Sequence, residues 1–269
     1  MRIVMPLFAF EYHDSQEFEF EGGKYALRRF IANNEIPPKM EGASEIDIWQ
    51  MKQARWALVA EGLDSGKCKQ EINVLLLSFK ICNPSSLFIK YYLCKENPNE
   101  CKRLCETMHY IAPPQNEFIY ADLEVINKRF SNLLKMSDIS NRTHNAIYFM
   151  IRGFFSGKMI DTFMFLMAAI ESLFSKEDSG GATKAVCSRV SKFLGCKARC
   201  EYKDIENLYN LRSKIVHGRV AVEDEIKGHL PTLYELEYVL MECIKKILDE
   251  KIYAIYSDVV QKEKYFNDS

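Results

Sequence analysis

The sequence predicts an α+β protein, in which a mixed α/β N-terminal domain is followed by an all-α helical bundle. Three observations carry this reading. Side chains alternate about a glycine pair near the N-terminus, a helical repeat of apolar residues lies between two strand-like runs, and helical patterns with short polar links take over beyond about residue 117.

Taken in order, Phe18 and Phe20 precede Gly22-Gly23 while Tyr25 and Leu27 follow it, so residues 17–27 read as a β-hairpin. Trp56-Ala57-Leu58-Val59 and residues 86–94 read as further strands. Between them, Ile72, Leu75, Leu76 and Phe79 recur at helical spacing, which predicts an amphipathic helix over residues 69–81 that ends near Asn83-Pro84. Pro98-Asn99 and Pro113-Pro114-Gln115-Asn116 bracket a short connection of helical character. The expected domains are therefore residues 1–116 and 117–269. In the second, helices are expected at 121–136, 140–156, 158–176, 182–194, 202–217 and 232–256. Short links between such helices make an antiparallel bundle the default architecture.

Composition narrows the function. The chain has 269 residues, 48% hydrophobic and 27% charged, with 8 prolines and 12 glycines, so it has the makings of a core and is no low-complexity chain. Lys plus Arg number 36 against 37 Asp plus Glu, so any polyanion site must be local rather than a global basic field. The first ten residues carry one Arg and an apolar run broken by Pro6, without the pattern of a secretory signal. The apolar stretch 159–174 contains Asp161 and Glu171 and is short for a membrane span. These features point to a cytoplasmic protein without membrane contact. The nine cysteines are scattered and odd in number, so they read as buried thiols rather than a disulfide framework.

No Gly-rich phosphate loop, Ser-His-Asp ordering or HExxH segment is present, which leaves nucleotide hydrolysis, serine chemistry and zinc proteolysis without support. Cys94, Cys101, Cys105 and His109 form one metal-like constellation, the last three at four-residue steps along a single helical face. The spacing lacks a C-x2-C pair, and no metal is assigned to it. Lys184, Arg189, Lys192, Lys197 and Arg199 make one locally basic stretch, suited either to tracking an RNA backbone or to an ordinary solvated face.

The segment Ile205-Glu206-Asn207-Leu208-Tyr209-Asn210-Leu211-Arg212-Ser213-Lys214-Ile215-Val216-His217-Gly218 resembles the final motif of the HEPN superfamily, most closely its Apea-like branch. That motif is an Arg, four to six residues, then a His. Residues 161–174 and the stretch from Ser188-Arg189-Val190 to Leu194-Gly195 fall in the order and spacing of the same branch, so the resemblance spans roughly residues 121–256. A looser likeness joins the first domain to the β-rich segments that precede such HEPN domains.

The resemblance implies a dimeric, metal-independent and cofactor-free endoribonuclease of prokaryotic stress or phage defence that leaves 2′,3′-cyclic phosphate ends. In it, His217 would act as general base or acid, while Arg212 would hold the scissile phosphate. The first domain would sense a protein or nucleotide trigger or choose the target RNA. On an ideal helix, five residues turn through about 500°, which leaves Arg212 and His217 roughly 140° apart. A two-fold homodimer with this segment at its axis would instead bring two Arg and two His together. Gly218 is expected to end the helix at His217. The chain departs from the family at Ser213, where well-supported nucleases often carry Asn, Asp or His, and at Arg219, where toxins paired with a nucleotidyltransferase carry Tyr.

Other roles stay open at the level of sequence. Arg212 and His217 also suit a helix-end pair, with the Arg on an acidic neighbour and the His capping carbonyls. Tyr209 either stacks on a base or packs in the core with a hydroxyl partner. Glu171 interrupts the apolar Ile170, Leu173 and Phe174 pattern and is placed to pair with Arg212 or Arg189, or to face water. The rival to the nuclease is a non-catalytic module that binds RNA, nucleotide or a protein partner, and a third reading is a zinc-stabilised adaptor built on the cysteines.

Overall fold

The computed structural model describes residues 2–37, 40, 43–62, 65–84, 87–94, 102–103, 117–156, 158–176, 182–195, 197, 200–219 and 230–268. The protein is α+β, with an antiparallel sheet early in the chain followed by helices. It divides into two compact units, Met1–Ser131 and Asn132–Ser269. Helices take over from Tyr120, just past the expected boundary at 117, whereas the units themselves divide within that helix, Tyr120–Ile139.

In chain order the first unit holds β1 (Arg2–Phe8), β2 (Glu11–Tyr12), β3 (Phe18–Phe20), β4 (Tyr25–Arg29), α1 (Ala32–Glu35), α2 (Glu45–Met51) and β5 (Trp56–Glu61). There follow α3 (Ser65–Cys82), β6 (Phe88–Ile89), β7 (Tyr91–Cys94), β8 (Lys102–Arg103), β9 (Glu117–Phe118) and the first part of α4 (Tyr120–Ile139). The main sheet runs β3-β4-β5-β1-β7-β8, with β6 also on β1, while β2 and β9 form a separate parallel pair. The expected hairpin is β3–β4, with Phe20 opposite Tyr25. Its turn places Gly22 at φ 67° and Gly23 at φ 91°, a region that glycine enters without a Cβ penalty.

The central strand β1 was not read from the sequence. Residues Ile3 to Leu7 are buried throughout, so they show none of the alternation that marks a half-exposed strand. One side of β1 pairs with β5, and the other pairs first with β7, at Ile3 and Val4, and then with β6, at Leu7 and Phe8. Pro6, which has no N–H to give, falls where pairing passes from β7 to β6. The expected single strand over 86–94 is correspondingly broken at Lys90. The connection over 98–116 lies outside the described residues except for Lys102–Arg103, which is a strand rather than a helix.

Ile72, Leu75, Leu76 and Phe79 of α3 are all buried, and the Phe79 ring meets Phe10, Phe20 and Phe118. Another cluster gathers Val4, Val59 and Leu93 with Phe30, Met51 and Ala54. Here α2 is anchored by a capping box between Ser44 and Asp47. The Asp47 carboxylate also accepts the Tyr91 hydroxyl and the Lys90 ammonium, the latter at 2.9 Å.

The second unit is a helical bundle of the last part of α4 with α5 (Asn141–Phe154), α6 (Met159–Phe174), α7 (Ala182–Leu194), α8 (Tyr202–Val216), α9 (Leu230–Asp249) and α10 (Val259–Asp268). The six expected helices are present, with Ser140 closing a capping box on α5. One expectation needs correction at its end. The helix expected over 232–256 stops at Asp249, because Lys251 takes a left-handed φ of 57°, and a 3-10 turn, Ile252–Ser257, leads into the unexpected α10. Within the bundle, α6 packs against α5, α7, α8 and α9. Among the described residues no helix is long and apolar enough to cross a membrane.

Two measurements probe this framework. A Cβ at Gly153 would lie 2.7 Å from a methyl carbon of Leu166, which is fully buried, so Gly153→Ala should destabilise the bundle by about 1–3 kcal/mol and lower the thermal midpoint. Hydrogen bonds from Tyr91 and then Lys90 hold the Asp47 carboxyl well below the usual carboxylate range. The unfolded carboxyl titrates near pH 4, so this contribution to stability is complete above that value and is lost as pH falls through and below it. In acid titrations followed by hydrogen exchange of α2, Asp47→Asn should therefore cost stability at neutral pH and flatten the loss below pH 4.

Candidate functional site

The segment singled out by the sequence forms α8 and its C-terminal cap. The Asp204 carboxylate accepts the Glu201 N–H at 3.0 Å and so caps the helix start. Ile205, Leu208, Tyr209, Leu211 and Ile215 form the buried stripe that seats it in the bundle. At the other end Gly218 stands at φ 62°, the Gly218 N–H reaches the Ile215 carbonyl at 3.1 Å, and the Arg219 N–H reaches the Lys214 carbonyl at 2.9 Å. These two bonds make a Schellman cap, with His217 as the last residue before the glycine, as the sequence implied.

The cap fixes what is presented to solvent. Ser213, Lys214, Val216, His217 and Arg219 are exposed, and Val216 is an exposed apolar residue beside two cations. The His217 imidazole makes no hydrogen bond or ion pair among the described residues. Its backbone N–H bonds the Ser213 carbonyl at 3.0 Å, so the ring is carried on a defined backbone while staying open to a partner.

Arg212 sits on the flank of α8 and donates from Nη1 to Glu171 Oε1 of α6 at 2.7 Å. Of the alternatives open to Glu171, the structure shows the pair with Arg212. Tyr209, one turn earlier on the same face, is buried beside this pair. Burial, and then the neighbouring Glu171 carboxylate, push its phenol well above the ordinary range, so it stays protonated. Its ring is core and its hydroxyl faces the Glu171 carboxylate, although neither that hydroxyl nor Arg212 Nε, both buried, forms a hydrogen bond of normal geometry among the described residues.

Arg189 belongs elsewhere. It forms a two-point ion pair with Glu263 of α10, donates to the Phe174 and Ser175 carbonyls at the end of α6, and lies 5.4 Å over the Phe266 ring. A helix C-terminus carries negative partial charge, which accounts for this choice of cation. The sequence grouping of Arg189 with Arg212 is thus not reproduced as a contact, and Glu263 was missed because α10 itself was missed.

Lys184 and Lys192 are exposed on α7, Lys197 is tied to Glu242 at 2.6 Å, and Arg199 lies outside the described residues. Cys94 is fully buried on β7, while Cys101, Cys105 and His109 lie outside the described residues. Among the described residues no group of three His, Cys, Asp or Glu side chains could hold a metal. Burial pushes the Cys187 and Cys200 thiols up to about 11, which keeps them protonated and poor nucleophiles.

What the arrangement offers chemically is an exposed imidazole, a guanidinium in reach of solvent, and no nearby thiolate or metal cluster among the described residues. Comparison with models of known protein families, with curated proteins and with solved structures finds no match to this chain.

The cap is open to a direct check. Gly218→Ala places a side chain at positive φ and should cost about 1 kcal/mol in chemical denaturation, with the last turn of α8 losing exchange protection. Gly218→Asn, which tolerates that region better, should recover most of the loss.

Proposed function

We propose that the chain is a metal-independent endoribonuclease of HEPN type that acts as a homodimer in the cytoplasm, in prokaryotic stress or phage defence. Arg212 of one protomer and His217 of the other form each composite site. The reading rests on the resemblance of residues 205–218 to the HEPN motif. The observation that carries it furthest is the Schellman-capped end of α8, which holds His217, without a partner among the described residues, at the surface five residues after a charged Arg212.

RNA brings its own nucleophile. The 2′-hydroxyl attacks the adjacent phosphorus, the bond to the 5′-oxygen breaks, and a 2′,3′-cyclic phosphate remains. His217 moves a proton at one of these two oxygens, and Arg212 neutralises the charge that builds on the phosphoryl oxygens. Guanidinium suits the task because it keeps its charge and donates as a planar fork. Two-fold pairing of the exposed α8 ends supplies what one copy lacks, since the two side chains lie on different faces of the helix. In this reading the first unit receives a protein or nucleotide trigger or selects the RNA.

A specific observation favours a second reading. Arg212 is held by Glu171, and Ser213 stands where active relatives often carry a stronger orienting group, as expected of a module that binds RNA, nucleotide or a protein partner without cutting.

The test is cleavage of labelled total and transfer RNA by the purified protein in EDTA. The nuclease predicts fragments ending in cyclic phosphate, lost by at least 100-fold, as an order of magnitude, in both Arg212→Ala and His217→Ala. Equal inertness of all three proteins as intact dimers, with RNA still bound, would establish the binding module instead.

A further inference from the structure

Among the described residues of the bundle, two buried polar atoms beside one carboxylate lack a hydrogen bond of normal geometry. Arg212 gives Nη1 to Glu171, yet its Nε is buried without a partner among the described residues. Tyr209 is 5% exposed, and its hydroxyl, which faces the same carboxylate, likewise forms no hydrogen bond of normal geometry among the described residues. Folded proteins leave few such atoms unpaired, and two in one place call for an explanation. The three groups are close enough to perturb one another, since the Glu171 charge raises the Tyr209 pKa and the Arg212 charge lowers it. Glu171 thus sits between two donors and is firmly engaged by one of them.

We infer that Glu171 is a latch on Arg212 with two positions: it holds the guanidinium in the free protein and passes to the Tyr209 hydroxyl when Arg212 transfers to a phosphate of RNA. The choice of RNA phosphate as the second partner rests on the nuclease reading, whereas the latch itself rests on the three side chains. A protonated phenol supplies the donor that a released carboxylate needs, so opening does not strand a charge. No helix has to move, because a change of Glu171 and Arg212 rotamers suffices. The free protein therefore masks its phosphate-binding group, and a ligand unmasks it only by binding the open arrangement more tightly. Glu171 and Tyr209 act here as positioning residues, through Arg212.

Binding of a fluorescent, uncleavable RNA with 2′-O-methyl riboses to the full chain reads the latch apart from catalysis. Glu171→Gln removes the charge while keeping the shape, and is expected to tighten binding about threefold to fivefold. Each Arg engaged on a phosphate should steepen the slope of log affinity against log salt by about 0.7. Both effects should vanish in the Glu171→Gln/Arg212→Ala double variant. Tyr209→Phe should weaken binding about threefold to tenfold at unchanged salt slope, because the open state then leaves the carboxylate unmet. Unchanged affinity and slope in a Glu171→Gln protein that melts as wild type would overturn the latch.

Phenylglyoxal labelling of Arg212, read by mass spectrometry, needs no RNA. It should run several-fold faster in Glu171→Gln than in wild type, and equal rates would also overturn the latch. If RNA is not bound by any variant while the labelling rates differ, the latch stands and the RNA reading falls.

Discussion

The burial of α6 is the constraint on which the second unit depends. From Met159 to Phe174 no residue is fully exposed and half are buried, so the polar groups on its inner face and at its end are met inside the bundle. Thr162 donates back to the Gly153 and Lys158 carbonyls, and Ser172 to the Ala168 carbonyl. The terminal carbonyls are met by Arg142, Arg189 and Lys262, which arrive from three other helices. Glu171 is met by Arg212. The state of Arg212 on α8 thus follows in part from the needs of a neighbouring helix.

Magnitude separates the two arginines. The Arg189 side chain is 3% exposed, and removing one partner of so buried a pair costs about 3–5 kcal/mol. Arg212 and Glu171 are 34% and 28% exposed, and an ion pair that water reaches this well contributes no more than about 1 kcal/mol. A phosphate dianion or diester can compete with the second pair and has no prospect of competing with the first. Arg189 is therefore a structural clasp on the end of α6, whereas Arg212 is held loosely enough to be used.

Much of this was legible in the sequence because the relevant signals are local. The Gly22-Gly23 pair marks a turn that needs positive φ, the 72-75-76-79 spacing marks a helix with one buried face, and Gly218 marks the end of α8. Beyond short elements such as α1, α2, β2 and β9, which were also not read, β1 and α10 were missed because their burial does not follow a period. β1 is covered on both faces and offers a continuous run in place of alternation. α10 inverts the usual pattern, since Val260 is 74% exposed while Lys262 is 1% exposed. Lys251 bends the chain at positive φ without a glycine to announce it. The Glu171–Arg212 pair was visible only as one of several options, because the spacing of α6 and α8 residues does not say which cation each acid meets.

The claim at the centre is that one working site takes its Arg and His from different protomers, and mixing two dead variants tests it most directly. Arg212→Ala and His217→Ala proteins, each inert alone, would be unfolded together, refolded and assayed for RNA cleavage. Statistical pairing makes half the dimers mixed, each with one intact site, so the account predicts recovery to about a quarter of wild-type activity. A mixture as inactive as its parents, with mixed dimers shown to form, would contradict the composite site.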